Sequence, residues 1–197
     1  GYRIKLLGVA TRTGDAIEQR VHPTMVPKSS AIARVDGVLN AVAVDGDAVG
    51  EVVLVGPGAG GEATASSVVA DLLDVAAGRR TPAFGRPAAA LQPYRPAGIS
   101  RHAGCYYMRL LVEDRPGALA TIARLMADHG ISLESIVQRR RAPMADAGGA
   151  KEPVAVQPIV LITHETTEEA VRAAIKALAA EEVVVGAPRM IRIEKLA

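Results

Sequence analysis

Alternation of apolar and polar residues along the first 57 positions predicts strands joined by short turns. Four such segments occur as two pairs, at residues 2–11, 16–25, 39–44 and 48–55. The turns between them read TGD at 13–15 and DGD at 45–47, and this chemistry is typical of β-hairpins. In the first hairpin, one face could combine residues of both strands: Ile4, Leu6, Ile17, Gln19 and Val21. We therefore predict that the first part of the chain is mostly antiparallel sheet.

Three local features qualify this prediction. Pro23 and Pro27 lack a backbone N–H, which predicts an edge position or a loop at the end of the second strand. At residues 29–35 the sequence predicts a helical turn. Lys5 lies in an apolar strand, and we expect its ammonium group to reach water at the strand edge.

An apolar run, a glycine-rich turn and a helical stretch follow one another over residues 52–77. The turn reads GPGAGG at 56–61, and apolar residues then recur at helical spacing at Val68, Leu72 and Val75. This predicts a helix from position 63 or 64 to Gly78. Because glycine has no side chain, such a turn lets backbone N–H groups approach a ligand closely. The spacing differs from the dinucleotide fingerprint G-x-G-x-x-G, so on spacing alone a purely structural turn is the simpler interpretation.

The rest of the chain divides into a linker and a second domain. Residues 79–104 are rich in Pro, Gly and Arg and lose all apolar periodicity, which predicts an extended linker. Strands are predicted at 106–112, 131–138, 154–163, 183–185 and 190–193. Pro116 is placed to open a first helix, and a capping box of Thr166 and Glu169 to open a second. The order β-α-β-β-α-β is that of a ferredoxin-like sandwich.

Composition excludes several classes of function. The 197 residues are 49% hydrophobic and 22% charged, with 23 basic against 21 acidic residues, so charge gives no indication of nucleic-acid binding. The apolar runs are too short for a membrane span, and the four histidines lack metal-ligand spacing. A single cysteine, Cys105, predicts a reducing, cytoplasmic compartment. Because the chain begins with Gly1 inside a strand, we expect it to be the C-terminal piece of a longer protein.

Several stretches together resemble the C-terminal half of bacterial homoserine dehydrogenases. They are GYRIKLLGVA at 1–10, RVHPTMVP at 20–27, and VLNAVAVDGDAVGEVVLVGPGAGGEATASSVVADL at 38–72. In the tail, VEDRPGALATIARLMADHGIS at 112–132 is similar to an ACT domain. The resemblance implies an α/β (α+β) chain in three parts. These are a partial mixed-sheet substrate and dimerisation domain with a returning helix at 1–78, the linker at 79–104, and a ferredoxin-like ACT regulatory domain at 105–197.

This resemblance implies an enzyme that interconverts L-homoserine and L-aspartate 4-semialdehyde with NADP or NAD, in threonine and methionine biosynthesis. The family's glycine turn approaches the nicotinamide end of the cofactor, and it corresponds here to Gly56, Gly58, Ala59 and Gly60, with Gly60 the first choice. The family's cofactor fingerprint, catalytic lysine and substrate-binding acids all lie upstream of the position of Gly1. We therefore assign no catalytic residue in this chain and expect it to be inactive alone. The returning helix, without its partner domain, should expose its apolar face.

The resemblance also implies regulation by threonine and a homo-oligomer. In ACT modules the first loop and the start of the second strand meet a partner subunit and can bind an amino acid. The corresponding residues here are Asp114, Arg115, Pro116, Gly117, Ile131 and Ser132. Ligand-binding members often carry Asn where this chain has Ser132, and a hydroxyl replaces only part of an amide's hydrogen bonding.

Two other interpretations of the sequence stay open. The chain could be a free-standing amino-acid-sensing ACT module with an accessory sheet, or a structural dimerisation fragment without catalysis. The DNA immediately upstream discriminates among the three, because an in-frame dinucleotide-binding sequence would identify a dehydrogenase.

Overall fold

A computed structural model describes residues 1–82, 84–98, 102–138 and 156–195. The arginine run at 139–141 and the loop at 142–153 lie outside these residues. The strands are β1 (Tyr2–Thr13), β2 (Ala16–Pro27), β3 (Leu39–Gly46), β4 (Gly50–Pro57), β5 (Ala103–Glu113), β6 (Leu133–Gln138), β7 (Val156–Thr163), β8 (Thr166–Thr167) and β9 (Arg189–Ile193). The helices are α1 (Gly61–Ala76), α2 (Ala118–Asp128) and α3 (Glu168–Ala179), with 3₁₀ turns at Ile32–Arg34 and Ala88–Ala90.

β1 and β2 form the predicted antiparallel hairpin, paired without a break from Tyr2 opposite Pro27 to Thr13 opposite Ala16. Gly14 turns the chain with a φ of 60°, which glycine adopts without steric cost. Of the two alternatives predicted for Pro23, an edge position or a loop, the loop is wrong, because Pro23 lies inside the ladder opposite Leu6. Odd-numbered residues of β2 direct their backbone groups away from β1, as the bonds made by Ile17 show. The missing N–H of Pro23 therefore costs the hairpin no hydrogen bond.

The second half is the predicted β-α-β-β-α-β sandwich, with strands in the order β9-β5-β7-β6. One face of this sheet is buried under α2 and α3, and the core is aliphatic apart from Tyr106. Its largest fully buried side chains are Tyr106, Met108, Leu110, Ile122, Met126, Ile159, Leu161 and Leu178. The predicted α+β fold class is thus confirmed for this half.

The two halves share one sheet, which the sequence did not predict. β2 pairs in parallel with β9, through Thr24 opposite Arg192 and Met25 opposite Ile193. The sheet therefore runs β1-β2-β9-β5-β7-β6, with β8 added beside β5. The predicted linker runs along the free edge of β2, where Arg95 and Ala97 bond to the backbone of Ile17. Residue contacts between the halves are thus made by β2, β9 and the linker.

β3 and β4 form a separate two-stranded hairpin that leads into α1. Within the described chain, α1 has no buried residue, and Val68, Leu72 and Val75 are 53%, 63% and 76% exposed. The apolar face predicted from their spacing therefore exists, and the described residues do not cover it. Exposed apolar faces of this kind are typical of surfaces that contact another polypeptide.

The beginnings of all three helices differ from prediction. α1 begins at Gly61, two or three residues early. α2 begins at Ala118, because Pro116 and Gly117 form the preceding turn and Gly117 is the N-cap with a φ of 89°. α3 is capped by Thr167, whose hydroxyl accepts from the amide of Ala170. Thr166 lies in β8, so the predicted capping box is wrong by one residue.

Candidate functional site

The glycine turn lies between the end of β4 and the first turn of α1. Gly58 donates its backbone N–H to Val38 O at 2.9 Å, which holds the turn against the segment that enters β3. At the other end, Thr64 N donates to Gly60 O at 3.1 Å and closes the first helical turn. The sequence therefore predicted the strand, the turn and the helix in their correct order.

The need for glycine differs from one position of the turn to the next. At Gly58, a Cβ would lie 1.2 Å from Asn40 Nδ2, so this position packs against the Asn40 side chain, which would have to move to admit any other residue. Gly60 has a φ of 123° and a ψ of 148°, a region that only glycine occupies readily. Gly56 carries neither constraint.

The turn leaves open space where a ligand could approach. A Cβ built at Gly56 or Gly60 meets no heavy atom of the described chain within 4 Å, and Ala59 is exposed. The first backbone N–H groups of an α-helix have no partner within the helix, and in α1 no side chain caps them. Glu62 in that first turn adds a negative charge, which disfavours a phosphate and suits an uncharged polar group.

Asn40 is the residue of this site that the sequence reasoning missed. It lies in β3 opposite Gly56, and its amide fills the space beside Gly58. It also lines a cavity of about 190 Å³ bounded by Lys5, Leu7, Ile32, Val35, Leu39 and Ala41. The only signal in the sequence was its place in the stretch that carries the family resemblance.

Lys5, at the other side of this cavity, is not free. Its ammonium group donates to Val35 O and to Asp36 Oδ1, and its side chain is only 20% exposed. The expectation that it reaches water is therefore wrong. Arg3 bonds the second oxygen of the same carboxylate, and hydrogen bonds from Lys5 and Arg3 hold the pKa of Asp36 below its ordinary value.

The loop between β5 and α2 brings together four of the residues expected to bind an effector. Asp114, Arg115, Pro116 and Gly117 are all exposed there. Ala118 N already donates to Arg115 O at 3.2 Å, so this amide is occupied. Glu113 lies 3.7 Å from Arg115 Nε.

Ser132 and Ile131, the two remaining residues expected to bind an effector, differ in their exposure. Ser132 is exposed, and its backbone oxygen accepts from His164 N at 2.9 Å. Ile131 is 4% exposed and its side chain belongs to the core under the sheet, so only its backbone could face a ligand.

A buried ion cluster in the second half was also missed. Glu168, fully buried at the start of α3, accepts from Arg192 at 2.5 and 2.7 Å and from Arg172 at 2.8 Å. Burial is the largest single influence on the Glu168 carboxyl and raises its pKa, but the two arginines together outweigh it and lower the pKa. A charge on a helix is ordinarily solvated, so no pattern in the sequence indicated this site.

Other kinds of site are not found in the part of the chain that the structure describes. No group of three or more His, Cys, Asp or Glu could hold a metal ion there. Cys105 is a free, buried thiol. Among the described helices, none has the length and apolar character of a membrane span.

Comparison with known proteins identifies both halves. Residues 1–73 match the homoserine dehydrogenase family model, and residues 106–183 match the ACT domain model. The whole chain is 43% identical to a homoserine dehydrogenase of Pseudomonas aeruginosa and 40% identical to one of Neisseria gonorrhoeae, and it covers 44% of each. It spans less than half the length of these curated relatives.

A solved structure gives the same result. The crystal structure of a homoserine dehydrogenase from Thiobacillus denitrificans matches the whole chain with a TM-score of 0.83 and 43% identity, over 43% of the solved chain. The chain therefore corresponds to a C-terminal piece of homoserine dehydrogenases, a segment that matches the family model followed by an ACT domain.

Proposed function

We propose that this chain is the C-terminal part of an enzyme that interconverts L-homoserine and L-aspartate 4-semialdehyde with NAD or NADP, in threonine and methionine biosynthesis. The observation that carries the proposal is the match of residues 1–73 to the homoserine dehydrogenase family, which includes the whole of β4 and the glycine turn. The single buried cysteine makes a cytoplasmic location part of the same proposal.

The glycine turn is the part of this chain that we assign to the cofactor. Gly56 and Gly60 face open space, Gly58 packs against Asn40, and Ala59 is exposed, all beside the first N–H groups of α1. The acidic first turn of α1 suits the uncharged carboxamide of a nicotinamide better than a phosphate. A bound nicotinamide cofactor supplies the hydride chemistry, and the role of these residues is to position its ring and limit the access of water.

Activity should depend on a second polypeptide segment. The family's cofactor fingerprint and catalytic lysine correspond to no residue here, so we expect the purified chain to oxidise no homoserine. Co-expression with the N-terminal 56% of the Pseudomonas aeruginosa relative should produce NAD(P)-dependent oxidation, measured by absorbance at 340 nm. The covering of the exposed α1 face by that segment is the physical reason.

The relative's own C-terminal piece, co-expressed with the same N-terminal segment, is the positive control. Turnover by the purified chain alone would contradict the proposal. So would an inactive hybrid when the relative's own two pieces are active together.

We further propose that the ACT domain binds L-threonine at the loop before α2. Gly117 opens α2 in a conformation that leaves the amides of Leu119 and Ala120 for a carboxylate, and Asp114 can hold an ammonium group. This site would lie where two subunits of a homo-oligomer meet. Calorimetric titration of the full chain should give saturable heat with L-threonine and none with D-threonine.

The matched control for this titration compares two exposed aspartates of the same domain. Asp114→Ala should abolish the heat, whereas Asp128→Ala, which removes only an exposed pair with Arg124, should leave it unchanged. The absence of heat at millimolar L-threonine would make the domain a structural one.

A further inference from the structure

The two halves of the chain have separate hydrophobic cores. One cluster contains Leu7, Val26 and Ala33 from the homoserine dehydrogenase segment, and the other contains only residues of the ACT domain. Between them, the β2–β9 ladder consists of two residue pairs, followed by a hydrogen bond from Glu194 N to Met25 O. Within the described residues, the attachment of one half to the other therefore does not depend on a shared apolar core.

Charged side chains occupy this junction instead. Arg20 on β2 donates to Glu18 on the same strand and to Glu194, which follows β9. His102, at the end of the linker, lies 3.3 Å from Glu18 Oε1 and 3.9 Å from Glu194 Oε1. We call these four residues the junction cluster. Their side chains are only 4% to 15% exposed, so each charge depends on its partners rather than on water.

The junction cluster joins three separate segments of the chain. Glu18 and Arg20 come from the hairpin, His102 from the linker, and Glu194 from the position directly after β9. Two residues before Glu194, Arg192 pairs with Glu168 at the start of α3 and lies opposite Thr24 of β2. β9 thus binds the ACT helix through Arg192 and the hairpin through Glu194.

Hydrogen bonding at this junction is incomplete, which favours a contact that can move. Among the described residues, Arg20 Nε and His22 Nε2 are buried without a hydrogen-bond partner. Burial and the nearby charges of Arg192 and Arg20 lower the pKa of His22. A buried polar contact with unmade hydrogen bonds lowers the stability of the fold relative to an apolar core. Its presence here therefore favours a role other than stability.

We propose that the junction cluster couples the ACT domain to the homoserine dehydrogenase segment, so that a displacement of β9 or α3 moves the β1–β2 hairpin. The regulatory consequence rests on the proposed function, since it requires an ACT effector and a catalytic rate. The coupling itself does not, because it is a property of the chain alone.

Three backbone amides report directly on the junction. Ile17 N donates to Arg95 O at 2.9 Å, Ala97 N to Ile17 O at 3.0 Å, and Glu194 N to Met25 O at 3.0 Å. In the full chain, Glu194→Gln removes the charge that Arg20 needs and keeps the shape of the side chain. We expect hydrogen exchange at these three amides to become at least tenfold faster, while amides of β7 in the ACT core keep their rates.

Two further variants make the result specific. Asp74→Asn removes an exposed ion pair with Arg79 and should change none of these rates. Glu194→Asp keeps a carboxylate that Arg20 can pair with and should retain most of the protection that Glu194→Gln loses. Unchanged exchange in Glu194→Gln, or an equal increase in β7, would overturn the proposal.

The enzyme assembled with its N-terminal segment tests the regulatory consequence. There, Glu194→Gln should leave the effector-free rate and threonine binding unchanged and reduce the effect of threonine on the rate at least tenfold. If the assembled enzyme is inactive, or threonine does not bind, the proposed function fails, and the exchange experiment still decides the coupling. If threonine keeps its full effect on the variant, the junction cluster does not transmit it.

Discussion

Gly60→Val in the enzyme assembled with its N-terminal segment should lower kcat/KM for the cofactor about 100-fold, the loss expected when reacting groups are displaced by about 1 Å. Gly60 combines open space with a φ of 123°, so a branched side chain there would both occupy the ligand's approach and strain the turn. The strain alone is expected to cost on the order of 1–3 kcal/mol of unfolding free energy. Steady-state kinetics and thermal melting of the same protein separate these two effects.

Gly61→Ala is the matched control for this experiment. Gly61 is the first residue of α1, has an ordinary φ and also faces open space, so a Cβ there adds no strain. It should leave both kinetics and melting nearly unchanged. Gly56→Ala probes the ligand space without strain and should weaken cofactor binding while the melting temperature stays the same. A Gly60→Val enzyme with a lowered melting temperature and ordinary kinetics would show that the turn is only structural.

Glu168→Ala should lower the free energy of unfolding by about 3–5 kcal/mol, because it leaves the guanidinium of Arg192 buried without its counter-ion. Arg192 is 12% exposed and cannot reach water without moving β9. Urea unfolding of the full chain, followed by circular dichroism at pH 7, measures the loss. Replacing the pair by apolar residues, Glu168→Leu with Arg192→Met, should recover most of it.

Glu169→Ala is the matched control, since Glu169 occupies the same helical turn but is exposed. It should cost less than about 1 kcal/mol, the ordinary value of a charge at a helix start. A loss of similar size in both variants would mean that the buried pair adds nothing beyond the helix dipole.

The pH dependence of this pair follows from the direction of its pKa. The pKa of Glu168 in the folded chain lies below that in the unfolded chain, about 4.3 for an ordinary Glu. Its contribution is therefore fully present above pH 4.3 and is lost as the pH falls through the folded value. The stability difference between the native chain and Glu168→Ala should shrink as the pH falls from 5 to 3.

Features with a local cause could be predicted from the sequence. Both hairpins, the strand–glycine–helix order around Gly58 and the β-α-β-β-α-β order of the ACT half follow from periodicity and turn chemistry, and all are present. The apolar face of α1 was expected from the spacing of Val68, Leu72 and Val75, and its exposure from the resemblance. Each of these involves residues within a few turns or strands of one another, where the chain's own pattern carries the information.

The exact starts of helices were the first things that sequence reasoning got wrong. Either Thr166 or Thr167 could cap α3, and the choice of Thr167 depends on the pairing of β8 with β5. Likewise, α2 begins after Gly117 because that residue adopts a left-handed conformation that only the folded loop requires. A helix cap is a single residue, and propensities cannot choose between two neighbouring residues that are equally suitable as caps.

In the candidate site, the sequence showed the glycines of the turn but not the structural reason for glycine at each position. The resemblance pointed to Gly56, Gly58 and Gly60, with Gly60 the first choice, whereas the structure gives Gly58 a packing constraint from Asn40 and Gly60 a backbone constraint. Asn40 lies 18 positions before Gly58 and meets it only because β3 and β4 pair. Their roles toward the cofactor remain predictions.

By itself, the sequence determined the elements, their order and the shared face of Ile4, Leu6 and Val21 in the first hairpin, which the register confirms. Only the tertiary structure decided that this apolar face is the exposed one, while Glu18 and Arg20 are buried on the other. The alternation of apolar and polar residues divides a strand into two faces, but it does not determine which face the rest of the protein covers. On the buried face, Leu7 and Val26 pack with Ala33 of the 3₁₀ turn, and Arg20 pairs with Glu194, 174 positions away in the chain. No local pattern encodes that distant contact.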